Sequence, residues 1–290
     1  MEQLATVRLG RFVLRMFRPH IYATYAVLWV LALEGSAVLI SGRDWVLDEG
    51  TAVRAVSVVL VLLFMRMVDE QKDLEYDRVH NPDRPLVSGA ITATELRSAM
   101  AVIAVIVAVL NAFASTASVL LVLADLGYGL FLVVLERWSH RIRDGLIVNL
   151  FVTYPVQLLL SVYLYVSCGG PADWRAVPLL LIFACVFLHF EFARKTKWDN
   201  ASGERMYSGV LGPVGSAVTA LGLGLGAGVL ALVVFRPWES TSVTAWLPYL
   251  PLVLPVLGAW RFLSGRPSWP LAPAMAFVLS SYVFLILQAL

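Results

Sequence analysis

The sequence predicts an all-α integral membrane protein with nine transmembrane helices. Hydrophobic residues make up 59% of the 290 residues and charged residues only 14%. In soluble domains about 45–50% of residues are hydrophobic and about 25% are charged. The apolar residues form runs of about 20, the length of a helix that crosses a bilayer, and these runs lack the alternation of membrane β-strands. With a net charge of only +2, this composition excludes a cytosolic enzyme, a disordered chain and a nucleic-acid-binding protein.

Nine apolar runs between clusters of charge define the predicted spans, which form a single domain over residues 1–290. The third and fourth runs are separated only by a turn near Ser115. A glycine-rich run at residues 222–228 lies inside an apolar span without a lysine, so it predicts close helix packing rather than a phosphate loop. The spans cover residues 21–40, 51–68, 94–114, 116–135, 146–166, 176–192, 214–235, 243–257 and 269–290.

Basic residues predict the orientation of these spans. With the N-terminus in the cytoplasm, 18 of the 22 Lys and Arg residues lie on the inner side and the C-terminus lies outside, as the positive-inside rule expects. A missed or additional helix would destroy this asymmetry, so it supports the count of nine. The high Ala, Val, Leu and Arg content is typical of a GC-rich bacterial source, and we expect the bacterial cytoplasmic membrane.

Residues 1–20 carry four arginines and no long apolar core, which is untypical of a signal peptide. They predict an amphipathic helix on the inner surface of the membrane. The residues expected to face the membrane are Leu4, Val7, Phe12, Leu14 and Phe17.

Polar residues concentrate in two predicted cytoplasmic segments, and the first covers residues 69–89. If the second span continues as a helix, Glu70, Asp73 and Asp77 fall within roughly a 60° arc, with Asp69 beside it. Carboxylates on adjacent turns repel one another unless something neutralises them. Mg²⁺ does so with oxygen ligands, and it commonly joins carboxylates to substrate phosphates; the alternative is a solvated, charge-mixed loop. Three nearby cations would contact such a phosphate: Lys72, Arg78 and Arg84.

The second segment, residues 191–208, follows the sixth span. Glu191, Lys195 and Asp199 are four residues apart and share a face if the helix continues. Acids here alternate with bases such as Arg194, so the segment suits an anion that is itself bridged by Mg²⁺. The alternative is a basic inner loop that follows the positive-inside rule.

A prenyl diphosphate fits two such segments at the inner mouth of an apolar helix bundle. Its diphosphate would bind Mg²⁺ and the basic side chains, which stabilise charge on the leaving group, and its tail would lie among the helices. Aromatic faces would stabilise the allylic cation left behind. Glu34 and Asp125 lie within the spans and are further functional candidates, because intramembrane acids are costly.

At these residues the chain resembles the UbiA superfamily of intramembrane prenyltransferases, over essentially its whole length. The family's first motif, Asn-Asp-x-x-Asp-x-x-x-Asp, corresponds to Asp69-Glu70-x-x-Asp73-x-x-x-Asp77. The Pro-x-Arg-Pro-x-x-Ser-Gly sequence that follows it in the family corresponds to residues 82–89. The resemblance implies nine helices, with acidic loops after the second and the sixth.

The second motif departs from the family pattern. The family has Asp-x-x-x-Asp, often with another acid four residues earlier, and these positions fall on Glu191, Lys195 and Asp199. A lysine thus replaces a usual metal-binding aspartate, which leaves one or two Mg²⁺ ions as alternatives. The resemblance implies that Glu191 and Asp199 bind metal, whereas Lys195 binds diphosphate as a point charge.

The sequence therefore predicts a Mg²⁺-dependent membrane prenyltransferase that ionises a prenyl diphosphate and transfers the prenyl group to a small aromatic or lipophilic acceptor. One alternative is a terpene cyclase on the same fold, which needs no acceptor. A transporter or lipid-binding membrane protein is another, but it leaves the aligned carboxylates and the Pro-x-Arg-Pro sequence unexplained. The predicted catalytic residues are Asp69, Glu70, Asp73 and Asp77. The predicted metal ligands are Glu70, Asp73, Asp77, Glu191 and Asp199. The predicted diphosphate ligands are Lys72, Arg78, Arg84, Arg194 and Lys195.

Overall fold

The computed structural model describes residues 2–199 and 205–290, with side chains described from residue 5 onward. Regular structure in these ranges is helical, apart from an isolated β-bridge between Lys197 and Ser268. Nine helical segments of the described chain are long and apolar enough to cross a membrane. The predicted fold class is therefore confirmed and the protein is an integral membrane protein, whereas the orientation of its termini stays a prediction.

The α-helices of the described residues are labelled in chain order. They are α1 (Glu2–Phe12), α2 (Pro19–Ile40), α3 (Glu49–Lys72), α4 (Leu74–His80), α5 (Ala93–Ala112), α6 (Thr116–Trp138), α7 (His140–Asp144), α8 (Leu146–Thr153), α9 (Pro155–Ser167), α10 (Ala176–Arg194), α11 (Tyr207–Phe235), α12 (Val253–Leu263) and α13 (Leu271–Ala289). A π-helical turn and two 3₁₀ helices accompany them, at Val13–Phe17, Pro237–Glu239 and Val243–Leu252.

Polar caps determine where several spans begin. The Asp48 side chain accepts a hydrogen bond from the Thr51 backbone N–H at 2.8 Å, and the Thr51 hydroxyl accepts one from the Asp48 N–H at 3.3 Å. This capping box starts α3, and Thr92 and Glu95 form the same arrangement at the start of α5. The Ser115 hydroxyl caps α6, so the predicted turn between the third and fourth spans is confirmed.

Two of the predicted spans are not continuous α-helices. The fifth is divided into α8 and α9, because Pro155 has no N–H to continue the hydrogen-bond ladder and instead begins α9. The eighth begins as a 3₁₀ helix that contains Pro248 and Pro251, and it becomes α-helical at Val253. In these apolar runs the chain still spans the length that the sequence predicts, but the prolines interrupt the regular α-helix locally.

The N-terminal segment is helical, but two of its predicted membrane-facing residues are buried in the protein. Phe12 and Phe17 are almost fully buried, and the Phe17 ring stacks on Tyr22 with centroids 4.5 Å apart. An ion pair of 2.5 Å between Arg8 and Glu95 ties α1 to α5. The prediction for these two phenylalanines is wrong because the segment also packs inward. The remaining predicted positions are Val7 and Leu14, which are exposed, and Leu4, whose side chain lies outside the described residues.

α11 bends sharply at Gly212, whose φ of 73° and ψ of 159° are not helical. This region of φ and ψ is essentially restricted to glycine, and Pro213 follows directly. Further along α11, a Cβ built at Gly228 would lie 2.5 Å from the Leu252 side chain. Glycine thus permits a close approach between helices, which confirms the packing prediction for residues 222–228.

The chain forms two compact units. Unit 1 comprises Met1–Val30, Asp48–Asp144 and Phe151–Tyr163, and unit 2 comprises Leu31–Leu47, Gly145–Leu150 and Leu164–Leu290. Each unit has buried residues of its own, so each is described separately.

Unit 1 is organised around α3, which packs against α5 and α6. Its interior contains a polar chain in which Asn111 donates a hydrogen bond to Ser57 at 2.9 Å and accepts one from Tyr163 at 2.7 Å. Asp125 is fully buried on α6, and neither of its carboxylate oxygens has a hydrogen-bond partner in the described part of the chain. It therefore stays a functional candidate.

Unit 2 is organised around α10, which packs along α11 and α13. Aromatic side chains fill its core: the rings of Phe192 and Tyr207 are stacked with centroids 4.2 Å apart, and those of Phe262 and Trp269 are tilted with centroids 6.2 Å apart. The intramembrane acid Glu34 belongs to this unit and accepts a hydrogen bond from the Trp45 indole at 3.2 Å, which favours a structural role for it.

Candidate functional site

The first acidic segment begins where α3 ends. Asp73 occupies the junction with α4, with φ −88° and ψ 8°. The backbone N–H groups of Asp73 and Asp77 donate to the carbonyls four residues earlier, each at 2.9 Å, so the junction is a bend rather than a complete break. The prediction of one continuous helix is therefore wrong at this residue.

Arg84 joins the two buried carboxylates of the segment. Its Nη1 donates to Asp77 Oδ2 at 2.6 Å and to Glu70 Oε1 at 3.3 Å. Arg66 forms a further ion pair with Glu70, and Asn81 donates to Asp77 at 2.9 Å. Glu70 and Asp77 are each 1% exposed, and buried carboxylates are stable only with such partners. These five residues are called the Arg84 cluster.

Lys72 lies among three other carboxylates. Its Nζ donates to Glu136 Oε1 at 3.1 Å, and it lies 3.9 Å from Asp69 Oδ1 and 4.0 Å from Asp73 Oδ1. Partial burial raises the pKa of the Asp73 carboxyl, and the Lys72 ammonium opposes this rise. These four residues, called the Lys72 cluster, contain three acids for one base.

Each cluster thus holds two of the four predicted catalytic carboxylates around one predicted diphosphate ligand. The predicted single stripe of acids is wrong for Asp73, which lies with Asp69 instead of with the two buried carboxylates. The third predicted cation of the segment, Arg78, is exposed to solvent. Lys72 and Arg84 thus neutralise the motif's own carboxylates.

Sequence reasoning missed three residues of these clusters, Arg66, Asn81 and Glu136. Glu136 was detectable, because Asp125, Gly129, Leu132 and Glu136 follow one another at spacings of four, three and four on the buried face of α6. Such a stripe predicts that its last member points toward the same neighbour as the others. The partner of Glu136, Lys72, however, lies on another helix, and spacing along the chain does not predict which residue of that helix it is.

In the second segment, one acid lies between two bases. α10 ends at Arg194, and Lys195 caps it. Glu191 accepts hydrogen bonds from Arg194 at 2.6 Å and pairs with Lys195 at 2.7 Å through its other oxygen. The Lys195 ammonium also lies 5.1 Å from the centroid of the Tyr207 ring, at the distance of a cation–π contact. The segment carries an excess of positive charge.

Asp199 does not share a helical face with Glu191, so that prediction is wrong. α10 has ended five residues earlier, at Arg194, and the chain is extended where Lys197 forms a β-bridge with Ser268. Asp199 itself is exposed. Residues 200–204, which belong to the predicted second segment, lie outside the described residues.

The carboxylates of the first segment fit a divalent cation. Glu70 Oε2 is buried and has no hydrogen-bond partner among the described residues, and Asp69 and Asp73 are only loosely paired. Carboxylate oxygens are the ligands that Mg²⁺ takes in proteins. Within residues 2–199 and 205–290 no group of three or more His, Cys, Asp and Glu side chains is already gathered as for a metal ion, so binding requires side chains to move.

Comparisons with known proteins find one curated relative and several solved structures that match most of the chain. No protein-family model matches the chain. The digeranylgeranylglyceryl phosphate synthase of Methanoculleus marisnigri is 25% identical over 257 residues, which are 87% of this chain and 86% of the relative. A solved structure that concerns digeranylgeranylglyceryl phosphate synthase in membranes has a TM-score of 0.66 at 16% identity, over 97% of this chain and 98% of that chain.

A UbiA homologue from Archaeoglobus fulgidus, solved bound to DMAPP and Mg²⁺, has a TM-score of 0.62 at 14% identity, over 95% of this chain and 96% of that chain. It has also been solved bound to GPP and Mg²⁺. The chain adopts the fold of these proteins along nearly its whole length.

Proposed function

We propose that the protein is a Mg²⁺-dependent prenyltransferase that acts on a prenyl diphosphate. The observation that carries the proposal is the first acidic segment, where four motif carboxylates lie in two clusters around Lys72 and Arg84. One buried oxygen of Glu70 is left without a hydrogen-bond partner in the described chain. The bound DMAPP, GPP and Mg²⁺ of the Archaeoglobus fulgidus homologue support the same chemistry.

Three carboxylates of the first motif, Glu70, Asp73 and Asp77, are the proposed metal ligands, with Asp69 beside them. When bound, Mg²⁺ neutralises charge on a diphosphate leaving group. The same binding would compete with Lys72 and Arg84 for the carboxylates, so these cations become available to diphosphate oxygens. Arg78, which is exposed, is proposed as a further contact to the diphosphate.

The second segment is proposed to bind the diphosphate more than the metal. Both oxygens of Glu191 are already paired with bases, so Lys195 and Arg194 together present more positive than negative charge. The Tyr207 ring restrains the Lys195 ammonium through a cation–π contact. The N–H groups of the ammonium remain able to donate hydrogen bonds to an anion. The metal-binding roles of Glu191 and Asp199 stay predictions.

The proposed reaction begins when the allylic carbon–oxygen bond breaks and its electron pair leaves with the diphosphate. The basic residues hold that charge. An acceptor then donates an electron pair to the allylic carbon, forms the new bond and loses a proton to solvent. Candidates to stabilise such a cation through their aromatic faces are half-buried tyrosines of unit 1, which include Tyr22, Tyr25 and Tyr128.

The acceptor has two candidate classes. The aromatic ring expected from the family stays a prediction. The name of the Methanoculleus marisnigri relative favours a second candidate, a prenyl-carrying glyceryl phosphate that would accept through its hydroxyl. A terpene cyclase, in which a double bond of the substrate itself captures the cation, is the remaining alternative. The bacterial source and the cytoplasmic side of the site also stay predictions, and this relative is archaeal.

Diphosphate release by the purified protein tests the proposal. Geranyl, farnesyl and geranylgeranyl diphosphate would each be supplied with and without Mg²⁺, and with no acceptor, an aromatic acceptor or a prenylated glyceryl phosphate. Release that needs both Mg²⁺ and one acceptor class supports the transferase and identifies that class. A cyclic product without acceptor would establish the cyclase instead, and no release with any donor would contradict both.

Asp73→Ala provides the matched variant for this assay. We expect it to lower turnover on the order of 10³-fold, because a ligand of the charge-stabilising ion is lost. Glu75→Ala is the control. Glu75 is exposed, and its ion pair with Arg143, at 3.8 Å, is open to solvent. Near-normal turnover of Asp73→Ala would contradict the assignment of this segment.

A further inference from the structure

Glu136 holds the Lys72 ammonium more firmly than the motif aspartates do. The Nζ–Oε1 distance of 3.1 Å is a hydrogen bond, whereas the distances of 3.9 Å to Asp69 and 4.0 Å to Asp73 are too long for one. The side chains of Lys72 and Glu136 are 12% and 6% exposed, whereas those of Asp69 and Asp73 are 48% and 37% exposed. The buried acid is thus the fixed partner, and the two aspartates are loose partners.

Helix packing sets this arrangement. α3 and α6 approach closely at Gly129, where a Cβ would lie 2.5 Å from the Met65 sulfur. Lys72 and Glu136 each lie seven residues beyond Met65 and Gly129, so the two helices run in parallel register from the close contact to the ion pair. Seven residues are nearly two helical turns on each helix. The Glu136 carboxylate is therefore presented to Lys72 by the packed helices rather than by a flexible loop.

We propose that Glu136 is a positioning residue, which restrains the Lys72 ammonium and so keeps Asp69 and Asp73 available to a divalent cation. The inference rests on the proposed function, since it assumes that the cation binds at the first motif. Without the Glu136 charge, the ammonium would form close pairs with the aspartates and compete with the metal for them. Glu136 thus acts on the metal through Lys72 and needs no contact with it.

Mn²⁺ binding to the purified full-length protein, measured from the EPR signal of free Mn²⁺ without any substrate, tests the inference. We expect Glu136→Gln to raise the Mn²⁺ Kd about fivefold to tenfold, on the scale of one charge-assisted hydrogen bond. Glu75→Gln removes an equal charge at an exposed position of the first segment, and it should change the Kd less than twofold because solvent screens that charge.

A double-mutant cycle separates the positioning role from a general loss of negative charge. In the Lys72→Gln background we expect Glu136→Gln to have almost no effect on the Mn²⁺ Kd, because the competitor is gone. An equal effect in both backgrounds would show that Glu136 acts on the metal directly, and it would overturn the inference. If Lys72→Gln does not fold, Glu136→Asp replaces the cycle, because it keeps the charge but shortens its reach. A raised Kd for Glu136→Asp then supports positioning, and an unchanged Kd overturns it.

The outcome is distinguishable from failure of the proposed function. Intact coupling between Glu136 and Lys72 in Mn²⁺ binding, with no turnover of any prenyl diphosphate, would contradict the proposed function alone. Mg²⁺-dependent turnover, with the Mn²⁺ Kd of Glu136→Gln equal to that of the unmodified protein, would contradict this inference alone.

Discussion

The two acidic segments of the molecule differ in the sign of their excess charge. In the first, the Lys72 cluster has three acids for one base, and the Arg84 cluster has two acids with Arg66 and Arg84. In the second, Glu191 alone faces two bases. A site with excess carboxylate attracts a metal ion, and a site with excess base attracts an anion. Similar-looking motifs thus favour opposite ligands.

The segments also differ in burial, which determines how much each charge matters for folding. Glu70 and Asp77 are buried and share Arg84, whereas Arg194 of the second segment is 50% exposed. Loss of a partner from a buried carboxylate leaves its desolvation uncompensated, and an exposed pair is replaced by water. Glu70 and Asp77 of the first segment are therefore part of a buried core, whereas Arg194 of the second segment is accessible to water.

The largest expected difference is in stability. Arg84→Ala should lower the free energy of unfolding by about 3–5 kcal/mol, because two buried carboxylates lose their common partner. Arg194→Ala should cost less than about 1 kcal/mol. Unfolding of both variants in the same detergent, followed by tryptophan fluorescence, measures the difference. Arg84→Lys serves as a control that keeps the positive charge but loses the planar guanidinium that reaches both carboxylates, and its loss of stability should fall between those of the two alanine variants. Equal losses for the two alanine variants would contradict the comparison.

A smaller effect is expected on donor binding through the second segment. Lys195→Gln should raise the KM for the prenyl diphosphate about 30-fold, equivalent to the loss of about 2 kcal/mol from a hydrogen bond to a charged group. The Mg²⁺ concentration for half-maximal activity should stay unchanged. Lys195→Arg should restore most of the lost affinity, since a cation remains.

A shift in the Mg²⁺ requirement of Lys195→Gln would contradict the assignment of metal to the first segment and diphosphate to the second. Such a shift would mean that the second segment takes part in metal binding despite its basic character. Steady-state kinetics over a grid of Mg²⁺ and donor concentrations separates the two results.

The fold was largely predictable because the bilayer sets the length of every span. All nine spans lie where the apolar runs predict them. The start of α11 was missed, since it begins at Tyr207 and not near residue 214. The sequence Gly212-Pro213 looks like the end of a connection, yet here it bends a helix that has already begun. The local propensity of glycine and proline correctly predicts a break in regular helix at these two residues. Packing of the turn that begins at Tyr207 nevertheless makes the residues before the break helical.

The site was predictable in its residues and less so in its pairings. Motif spacing identified the carboxylates and cations of the first segment, whereas the bend at Asp73 separated one acid from the stripe. Glu136 comes from a helix far along the chain, and its pairing with Lys72 depends on the register between α3 and α6. Registers of this kind follow from three-dimensional packing at residues such as Gly129. Spacing along the chain contains no such information.

The smallest expected effect concerns the bend that carries Tyr207 to Lys195. Gly212 lies between Tyr207 and the rest of α11, with φ 73° and ψ 159°, a region that costs other residues about 1 kcal/mol or more. Gly212→Ala should therefore destabilise the protein by about 1 kcal/mol, at the low end because a Cβ there meets nothing within 4 Å.

Gly222→Ala is the matched control for this prediction, since its Cβ also meets nothing within 4 Å and its φ is not positive. It should leave stability unchanged or raise it by about 0.5 kcal/mol, as alanine does in a helix interior. Thermal unfolding of both variants tests the sign of each effect. If Gly212→Ala were as stable as Gly222→Ala, the bend would not depend on glycine. The position of Lys195 over the Tyr207 ring would then depend on the packing of α10 and α11 alone.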